Sequence, residues 1–438
     1  MSARDVRPRC PLEASSHRPL RPGLPPPSPP FNRAPARCYL MLPNASLLRT
    51  LLTHSPLTSG EVVATGARRK TRRTGWKIRR RVTLSLMVLW ASASSASALT
   101  LRVAIETATP EVTVGSSTDA TLRDANGRAI ARLAAMSGFR ATASRSRVAL
   151  DAWRAEALTL EPDDDGLIFI GNRWYRGDLE LRANGHQVMA IDRVDLEDYL
   201  YAVLGAEMSP SWPLEALKAQ AVAARTYALY QRDRRRAPDY DLGDDTSWQV
   251  YRGVEDEADR TRRAVDATRD RILVHDRQPI EAVFHASAGG HTESAQFVWS
   301  DTRPYLQGVP AYDDDAPNAS WQVEVSAATL AGLNHGVGTV RDLRLDRLTP
   351  GGRAWQLAIV GSSGTHELSG VELRAALGLP SAKFAIERGG SGFILNGRGR
   401  GHGVGMSQWG ARRLAERGYD YTQILTHYYQ SADVTNRR

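Results

Sequence analysis

The chain has 438 residues, a formal net charge of +9 and two cysteines, and this length is enough for two domains or for one domain with appendages. Residues 1–98 hold 17 of the 57 Lys and Arg residues but only 3 of the 48 Asp and Glu residues, so the remainder carries a net charge of −5. The basic charge therefore belongs to the front of the chain, and its position excludes the nucleic-acid partner that the total charge suggests.

The front of the chain has the pattern of a secretory signal peptide. Residues 70–81 are basic, residues 82–90 are apolar, and residues 91–98 contain only Ala and Ser. A basic, an apolar and a small-residue region in this order predict a signal peptide over residues 69–98, cleaved after Ala98. The protein is then secreted or lies in the cell envelope. An uncleaved membrane anchor is the alternative, although the apolar run is shorter than the roughly 20 residues of a membrane span.

Residues 1–68 precede this signal and are rich in Pro, Arg and Ser. Such a composition cannot bury enough apolar surface to fold, so we expect the segment to be disordered or to lie before the true translation start. Cys10 and Cys38 both fall in it. The mature protein is therefore expected to contain neither disulfides nor thiolate metal sites.

Residues 99–189 predict a β-rich N-terminal segment. Residues 101–105 alternate between apolar and polar side chains, and residues 167–170 form a short apolar run. Asn184-Gly185 is a turn signal between two further strand patterns. Later strands and helices mix without regular alternation, so the predicted fold class is α+β, a mixed sheet with packed helices.

A first functional candidate follows this segment. Asp195 predicts the N-cap of a helix that ends near Gly205, and this leaves Glu207 just beyond the helix. The negative end of the helix and apolar neighbours are expected to keep the Glu207 carboxyl protonated to higher pH than usual. Such a group suits general acid catalysis. A surface glutamate at a turn is the alternative interpretation.

A second helix is predicted over residues 213–231. Small and apolar side chains recur every three or four residues along one face. Lys218 and Arg225 are two turns apart on another face, and Gln220 flanks the apolar stripe. These polar residues are candidates for positioning a ligand, and an ordinary core helix with solvated charges is the alternative.

A glycine-rich segment near the end of the chain holds His402. Gly399, Gly401, Gly403 and Gly405 allow close backbone approach and positive φ angles. Ser407 is placed to cap the next helix, whose first N–H groups can bind oxygen atoms of a ligand. The segment lacks the lysine of a phosphate-binding P-loop.

Histidines elsewhere raise the question of a metal. His285 and His291 are six residues apart across a Ser-Gly-Gly turn. A zinc ion bound by this pair is the alternative to a site without metal. No third ligand is visible near them. His366-Glu367 lacks the second histidine of a zinc protease. The favoured expectation is no metal and no cofactor.

Several ordered blocks together resemble the SpoIID/LytB family of secreted cell-wall proteins. The blocks cover roughly residues 190–435 and comprise Leu196-Glu197-Asp198-Tyr199-Leu200, Gly205-Ala206-Glu207-Met208, Glu215-Ala216-Leu217-Lys218-Ala219-Gln220-Ala221, Gln249-Val250-Tyr251, His285 to Thr292, Leu373-Arg374, and Gly401-His402-Gly403-Val404-Gly405 followed by Met406-Ser407-Gln408-Trp409-Gly410. The chain departs from the family pattern after Met208, where Ser209 displaces the expected Pro by one position.

The resemblance implies a function on peptidoglycan. SpoIID-type members are lytic transglycosylases that cut glycan strands stripped of stem peptides, and LytB-type members are described as enhancers of a cell-wall amidase. The family's catalytic glutamate maps onto Glu207. Some members hold zinc just before the Gln-Val-Tyr block, where this chain has Ser247 and Trp248.

Three hypotheses follow. In the first, residues 190–435 are a catalytic domain in which Glu207 is the single acid and base, with peptidoglycan glycan strands as substrate. The residues then expected to position the substrate are His402, Lys218, Gln220, Arg225, Ser287, Gln408 and Tyr428. In the second, the protein binds glycan and stimulates an N-acetylmuramoyl-L-alanine amidase without cutting. In the third, the fold has lost its activity. A membrane is a partner only if the signal is uncleaved.

Overall fold

The computed structural model describes residues 99–234, 239–317 and 319–437. The predicted signal peptide at 69–98 and the preceding segment 1–68 lie outside these residues. None of the helices in the described part has the length and apolarity needed to cross a bilayer.

Thirteen strands, twelve of which precede the helices, form two mainly antiparallel sheets. They are β1 (Thr100–Thr109), β2 (Glu111–Ser116), β3 (Ala120–Asp124), β4 (Ala129–Leu133), β5 (Gly138–Ser144), β6 (Arg147–Leu150), β7 (Trp153–Ala155), β8 (Ala157–Pro162), β9 (Ile168–Ile170), β10 (Arg173–Tyr175), β11 (Asp178–Asn184), β12 (Gln187–Asp195) and β13 (Leu242–Gly243). One sheet has the order β13-β1-β12-β11-β8-β3-β4, with β13 parallel to β1, and the other has the order β10-β9-β2-β5-β6-β7.

The two sheets pack face to face, with β5 and β6 lying against β11 and β12. Alternating side chains such as Leu101 and Val103 are buried between them. The predicted turn at Asn184 is confirmed, since Asn184 pairs with Gln187 and Gly185 has a φ of +64°. The sequence pattern therefore predicts the strands but not their division into two layers.

Eight helices are present in the described chain. They are α1 (Leu196–Glu207), α2 (Leu214–Arg234), α3 (Asp259–Ala267), α4 (Gln296–Trp299), α5 (Ala327–Leu333), α6 (Gly370–Leu377), α7 (Gln408–Glu416) and α8 (Tyr421–Tyr428). The long helix α2 is central, because α1, α3, α7 and α8 all pack against it. Its alanines let these neighbours approach closely.

The remaining strands are short and scattered among the helices. They are β14 (Arg271–His275), β15 (Gln278–Pro279), β16 (Phe284–His285), β17 (Ser320–Ser326), β18 (Val340–Leu348), β19 (Ala354–Gly361), β20 (Thr365–Ser369), β21 (Phe384–Arg388), β22 (Gly392–Arg398), β23 (Met406–Ser407) and β24 (Asp433–Asn436). Residues 280–283, which come directly before β16, do not form a strand. There the N–H groups of Ala282 and Val283 bond to carbonyls two residues back instead of to a neighbouring strand.

Residues 320–398 form what we call the inserted lobe. It contains two three-stranded sheets, β17-β22-β21 and β18-β19-β20, and has an apolar core of its own around Leu357, Leu373 and Leu395. A second, larger core runs from the front sheets into the helices around α2. The strand-rich start and the mixed remainder confirm the predicted α+β class.

Helix α1 ends later than the sequence predicts. The helix includes Gly205 and stops at Glu207, and Met208 is its C-cap. Gly205 is needed for close approach instead of for termination, because a Cβ atom there would lie 1.8 Å from the carbonyl oxygen of Asp256. The predicted N-cap is confirmed, since the Asp195 side chain accepts from the N–H of Glu197.

This close approach gives a test of the packing beside Glu207. We expect Gly205→Ala to lower the free energy of unfolding by about 1–3 kcal/mol, because the added methyl group must push the two segments apart. Gly332→Ala is the matched control. It also lies in a helix, but nothing is within 4 Å of its added Cβ, so it is expected to stabilise by about 0.5–1 kcal/mol. Urea denaturation measures both, and equal effects would contradict the packing account.

Candidate active site

An open cleft of about 750 Å³ lies where α1, α7 and the glycine-rich segment meet. Glu207 comes from the end of α1 and Gln408 from the start of α7. Residues 246–248, Val250 and β16 supply further lining, and the inserted lobe contributes Arg374. Residues that are far apart in the sequence are thus brought to one cavity.

The Glu207 carboxyl is held by two hydrogen-bond donors. The N–H of Val250 donates to Oε1 at 3.0 Å, and Nε2 of Gln408 donates to Oε2 at 3.1 Å. Burial raises the pKa of Glu207 above its usual value, while the two donors oppose this effect by stabilising the charged form. The result is a fixed carboxyl group that keeps its proton to higher pH, as the sequence predicts.

The opposing effects predict the outcome of removing one donor. In Gln408→Met the side chain keeps its length but cannot donate, so the pKa of Glu207 is expected to rise further above its usual value. A ¹³C NMR titration of the labelled carboxyl carbon measures this change. Gln356→Met on the exposed face of the inserted lobe is the control and is expected to leave the titration unchanged. A lower pKa in Gln408→Met would contradict the assigned contact.

The glycine-rich segment is a tightly packed loop. Gly401 and Gly403 have φ angles of +113° and +83°, which favour glycine. A Cβ atom at Gly401 would lie 2.7 Å from the Cβ of His285, and one at Gly403 would lie 2.0 Å from the guanidinium of Arg353. The loop therefore rests on β16 on one side and on a buried arginine from the inserted lobe on the other.

His402 forms part of the cleft wall as a neutral ring. Its Nδ1 accepts from the N–H of Val404 at 3.1 Å, so the proton is on Nε2, which donates to the carbonyl of Phe284 at 2.9 Å. Burial lowers the pKa of His402 to about 4. Both ring nitrogens are engaged by backbone, and the ring lies 5.2 Å from the exposed ring of Trp299. His402 therefore shapes the cleft without carrying a mobile proton.

His285 is the histidine with a free nitrogen. Its Nδ1 donates to the carbonyl of Val404 at 3.1 Å, and within the described residues its buried Nε2 has no partner. Burial, with the nearby positive charge of Arg353, holds the pKa of His285 well below its usual range. The ring is therefore neutral at physiological pH, with an available lone pair.

Asp313 joins the two loops behind the cleft, a role that the sequence did not reveal. Its buried carboxylate accepts from the N–H groups of Ala288 and Gly290 and from the hydroxyl of Ser407. Ser407 is also the N-cap of α7, as predicted, since its oxygen accepts from Gly410. One carboxylate thus fixes the start of the helix that carries Gln408.

Three of the predicted site residues meet in the cleft, namely Glu207, His402 and Gln408. The other five do not line it. Ser287 is buried and its backbone pairs with Arg400, and the hydroxyl of buried Tyr428 donates to the carbonyl of Ala311 at 2.7 Å. The backbone of Ser287 and the side chain of Tyr428 thus stabilise the loops around the cleft.

The three candidates on α2 also lie elsewhere. Lys218 forms an ion pair with Glu215 at 2.7 Å, and Gln220 is fully buried. Arg225 is fully buried and makes a two-pronged ion pair with Glu197, with N–O distances of 2.6 and 2.8 Å. It also donates to the carbonyls of Arg271 and Val265. Arg225 therefore connects α1, α2 and α3 instead of reaching a ligand.

The residues at the implied zinc position do not fit a metal. Ser247 and Trp248 line the cleft there, and a hydroxyl and an indole do not replace thiolate and imidazole ligands. His291 lies outside the cleft lining, with Nδ1 2.7 Å from the carbonyl oxygen of Thr292. Within the described chain, no three or more His, Cys, Asp or Glu residues form a group that could hold a metal ion.

The fold is α+β, and its main cleft is built around one partly buried carboxyl group and a glycine-rich loop. The family model described as "Stage II sporulation protein" (SpoIID) matches residues 184–275, and one for a domain of unknown function (DUF8618) matches residues 254–405. The chain belongs to the SpoIID/LytB family.

Three relatives are similar to this chain over more than half of its length. An uncharacterized protein of Brachyspira hyodysenteriae is 36% identical over 290 residues, which are 64% of this chain and 77% of that protein. Stage II sporulation protein D of Bacillus subtilis is 33% identical over 267 residues, 56% of this chain and 76% of that protein. The amidase enhancer of the same organism is 30% identical over 292 residues, 54% of this chain and 40% of that protein.

Proposed function

We infer that the protein acts on the bacterial cell wall and that it cleaves peptidoglycan glycan strands as a lytic transglycosylase. The observation that carries this proposal is the partly buried Glu207 carboxyl, held by Val250 and Gln408 at the edge of an open cleft. Relatives named for sporulation and for amidase enhancement support the coarser cell-wall role. The proposal places the protein outside the cytoplasm, in the cell envelope or secreted.

The proposed chemistry needs one acid. Glu207 gives its proton to the glycosidic oxygen, so that the bond from C1 to that oxygen breaks and the next sugar leaves with a free hydroxyl. The C6 hydroxyl of the cleaved sugar attacks C1 and gives its proton to the Glu207 carboxylate. The product is a 1,6-anhydro sugar, no water is consumed, and the enzyme regains its proton.

A hydrolase that uses two carboxylates is less well supported. The second carboxylate in the cleft lining is Glu281. It already has Arg303 at 3.5 Å and receives a hydrogen bond from the hydroxyl of Tyr230 at 3.4 Å. A carboxylate engaged in this way is poorly placed to activate water or to attack a sugar.

Aromatic and polar groups of the cleft are suited to hold a sugar chain. Trp299 has 41% of its surface exposed and lies against the ring of His402. An exposed indole can stack on the apolar face of a sugar ring. We assign glycan binding to Trp299, His402 and Gln408. All of these residues lie in 190–435, which we propose as the catalytic domain, with 99–189 as its β-rich support.

The alternative is that the protein binds glycan and stimulates a cell-wall amidase without cutting. The name of one Bacillus subtilis relative, an amidase enhancer, favours this function. It requires the same cleft for binding but gives Glu207 no chemical role. A cell-wall amidase is then the partner protein.

The two functions are separated by their products. The purified protein is incubated with glycan strands stripped of stem peptides, and the soluble products are analysed by mass spectrometry. The expected products are fragments that end in 1,6-anhydro sugars, which weigh one water less than hydrolysis products. Fragments with free reducing ends would indicate a hydrolase. No fragments, combined with faster cleavage by an added amidase, would support the enhancer.

A further inference from the structure

The positive charge of the cleft is not balanced by its acids. Arg374 from α6 and Arg400 from the glycine-rich loop both line the cavity. Within the described chain neither guanidinium has a carboxylate within ion-pair distance, and Arg374 donates only to the carbonyl of Leu379, at 3.2 Å. Of the two lining carboxyls, Glu281 is paired with Arg303, and the raised pKa of the partly buried Glu207 favours its neutral form.

The surroundings increase this imbalance. Both cleft histidines, His285 and His402, stay neutral, so they add no charge, and both are influenced by the positive charge of Arg374. Arg374 is itself partly buried, and this burial lowers its pKa. A guanidinium that gives up water without gaining a carboxylate is costly. Such a group in a cleft points to a ligand that brings the missing negative charge.

The two arginines are held in place by different parts of the fold, Arg400 by the glycine-rich loop and Arg374 by the inserted lobe. The proposed subsite therefore lies between these two parts. The backbone of Arg400 is fixed by two hydrogen bonds with Ser287, at 3.1 and 2.8 Å. Arg374 is fixed by α6, whose capping box and αL C-cap define its ends. The planar fork of a guanidinium matches the two oxygens of a carboxylate.

We propose that Arg374 and Arg400 form a carboxylate subsite in the cleft, and that this subsite takes the lactyl carboxylate of a muramoyl residue without an attached peptide. The identity of the ligand rests on the proposed function, because in a glycan strand the lactyl group carries the carboxylate nearest to the sugar ring. An attached stem peptide turns that carboxylate into an amide and removes its charge. The two arginines would then select strands from which the peptides have been removed.

The test is a binding measurement that needs no cleavage. The full-length protein is titrated by calorimetry with the disaccharide N-acetylglucosaminyl-N-acetylmuramic acid, with its methyl ester, and with the same disaccharide carrying L-alanyl-D-isoglutamine. The free acid is expected to bind about tenfold more tightly than the ester, because the ester lacks the negative charge that the two arginines bind. The dipeptide form is expected to bind no better than the ester.

Variants then assign the preference to the two residues. Arg374→Gln and Arg400→Gln are each expected to lower the acid-to-ester ratio of affinities, and Arg374→Lys is expected to keep more of that ratio than Arg374→Gln. Arg341→Gln, an exposed position on the inserted lobe, is the control and keeps the ratio. Arg400 is exposed, so Arg400→Gln is expected to fold normally. This variant therefore tests the subsite even if Arg374→Gln is unstable.

Each opposite result overturns the proposal. Equal binding of acid and ester by the parent protein would remove the subsite. An unchanged ratio in Arg400→Gln and Arg374→Gln would place it elsewhere, and tight binding of the dipeptide form would assign it to stem-peptide carboxylates. Failure of this subsite proposal is distinguishable from failure of the proposed cleavage activity. A protein that binds glycan without cutting it still binds the free acid more tightly than the ester.

Discussion

Replacing Glu207 by Gln is expected to reduce the release of 1,6-anhydro products by roughly 10²–10⁴-fold, the usual contribution of a positioned general acid. Gln has nearly the same shape as Glu and can still accept from the N–H of Val250, 3.0 Å from Oε1 in the parent. It cannot supply a proton to the glycosidic oxygen. Mass spectrometry of products from peptide-free glycan measures the loss.

The same substitution is not expected to destabilise the fold. Because burial raises the pKa of Glu207 in the folded protein, its ionisation costs folding free energy as the pH rises through that pKa. The neutral Gln removes this cost, so the free energy of unfolding at pH 7 should be equal to or above that of the parent. Thermal unfolding at pH 5 and pH 8 checks the sign.

Two further Glu to Gln variants make the result specific. Glu324→Gln, at an exposed site on β17, is expected to retain full activity. Glu281→Gln alters the other cleft carboxylate and is expected to retain most of the activity, since no chemical step uses it. Activity that depends equally on Glu281 and Glu207 would contradict the one-acid scheme and favour hydrolysis. Cleavage that survives in Glu207→Gln would remove the enzymatic proposal altogether.

The sequence predicted those parts of the site that depend on local pattern. Asp195 and Ser407 are short polar residues placed just before helical patterns, and both are N-caps in the structure. The regular glycines around His402 predicted a loop with positive φ angles, and the loop has them. In these places the residue that determines the local structure lies within a few positions of the structure it determines. A short stretch of sequence is therefore enough for the prediction.

The features of the site that the sequence did not predict depend on contacts between residues far apart in the chain. Gly205 has the pattern of a helix stop. It is glycine because the carbonyl of Asp256 leaves no room for a side chain, and Asp256 is 51 positions later in the sequence. Nothing near Asp313 in the sequence indicates that it accepts from Ser407. The donor to Glu207 from Val250 is a backbone N–H, which no side-chain pattern can reveal.

Arg225 illustrates why a polar residue on a helix is ambiguous. Its helical spacing relative to Lys218 suggested a shared exposed face, but the helix is surrounded by α1, α3, α7 and α8 and has little exposed face. Glu197, one of the two acidic residues in the first turn of α1, supplies the negative charge that offsets the burial of Arg225. In the sequence, Glu197 is equally well explained as a favourable charge at a helix N-terminus.

This ion pair gives the largest expected effect on stability. Arg225→Met removes the guanidinium and leaves the Glu197 carboxylate buried without its partner, 2.6 Å from Nη2 in the parent. The carbonyls of Arg271 and Val265 also lose donors. We expect the free energy of unfolding to fall by about 3–5 kcal/mol, as for other broken buried pairs. Urea denaturation of the purified protein measures it.

The double variant Glu197→Leu with Arg225→Met separates the cost of an unpaired charge from the value of the pair. It removes both charges, so most of the lost stability is expected to return. Arg128→Met is the matched control, because Arg128 pairs with Asp124 at 3.3 Å but has 79% of its side chain exposed. This change should cost less than about 1 kcal/mol. Since Arg225 lies outside the cleft, the fraction of Arg225→Met that remains folded should bind glycan like the parent. A stable Arg225→Met variant with lost binding would instead show that the arginine reaches the ligand.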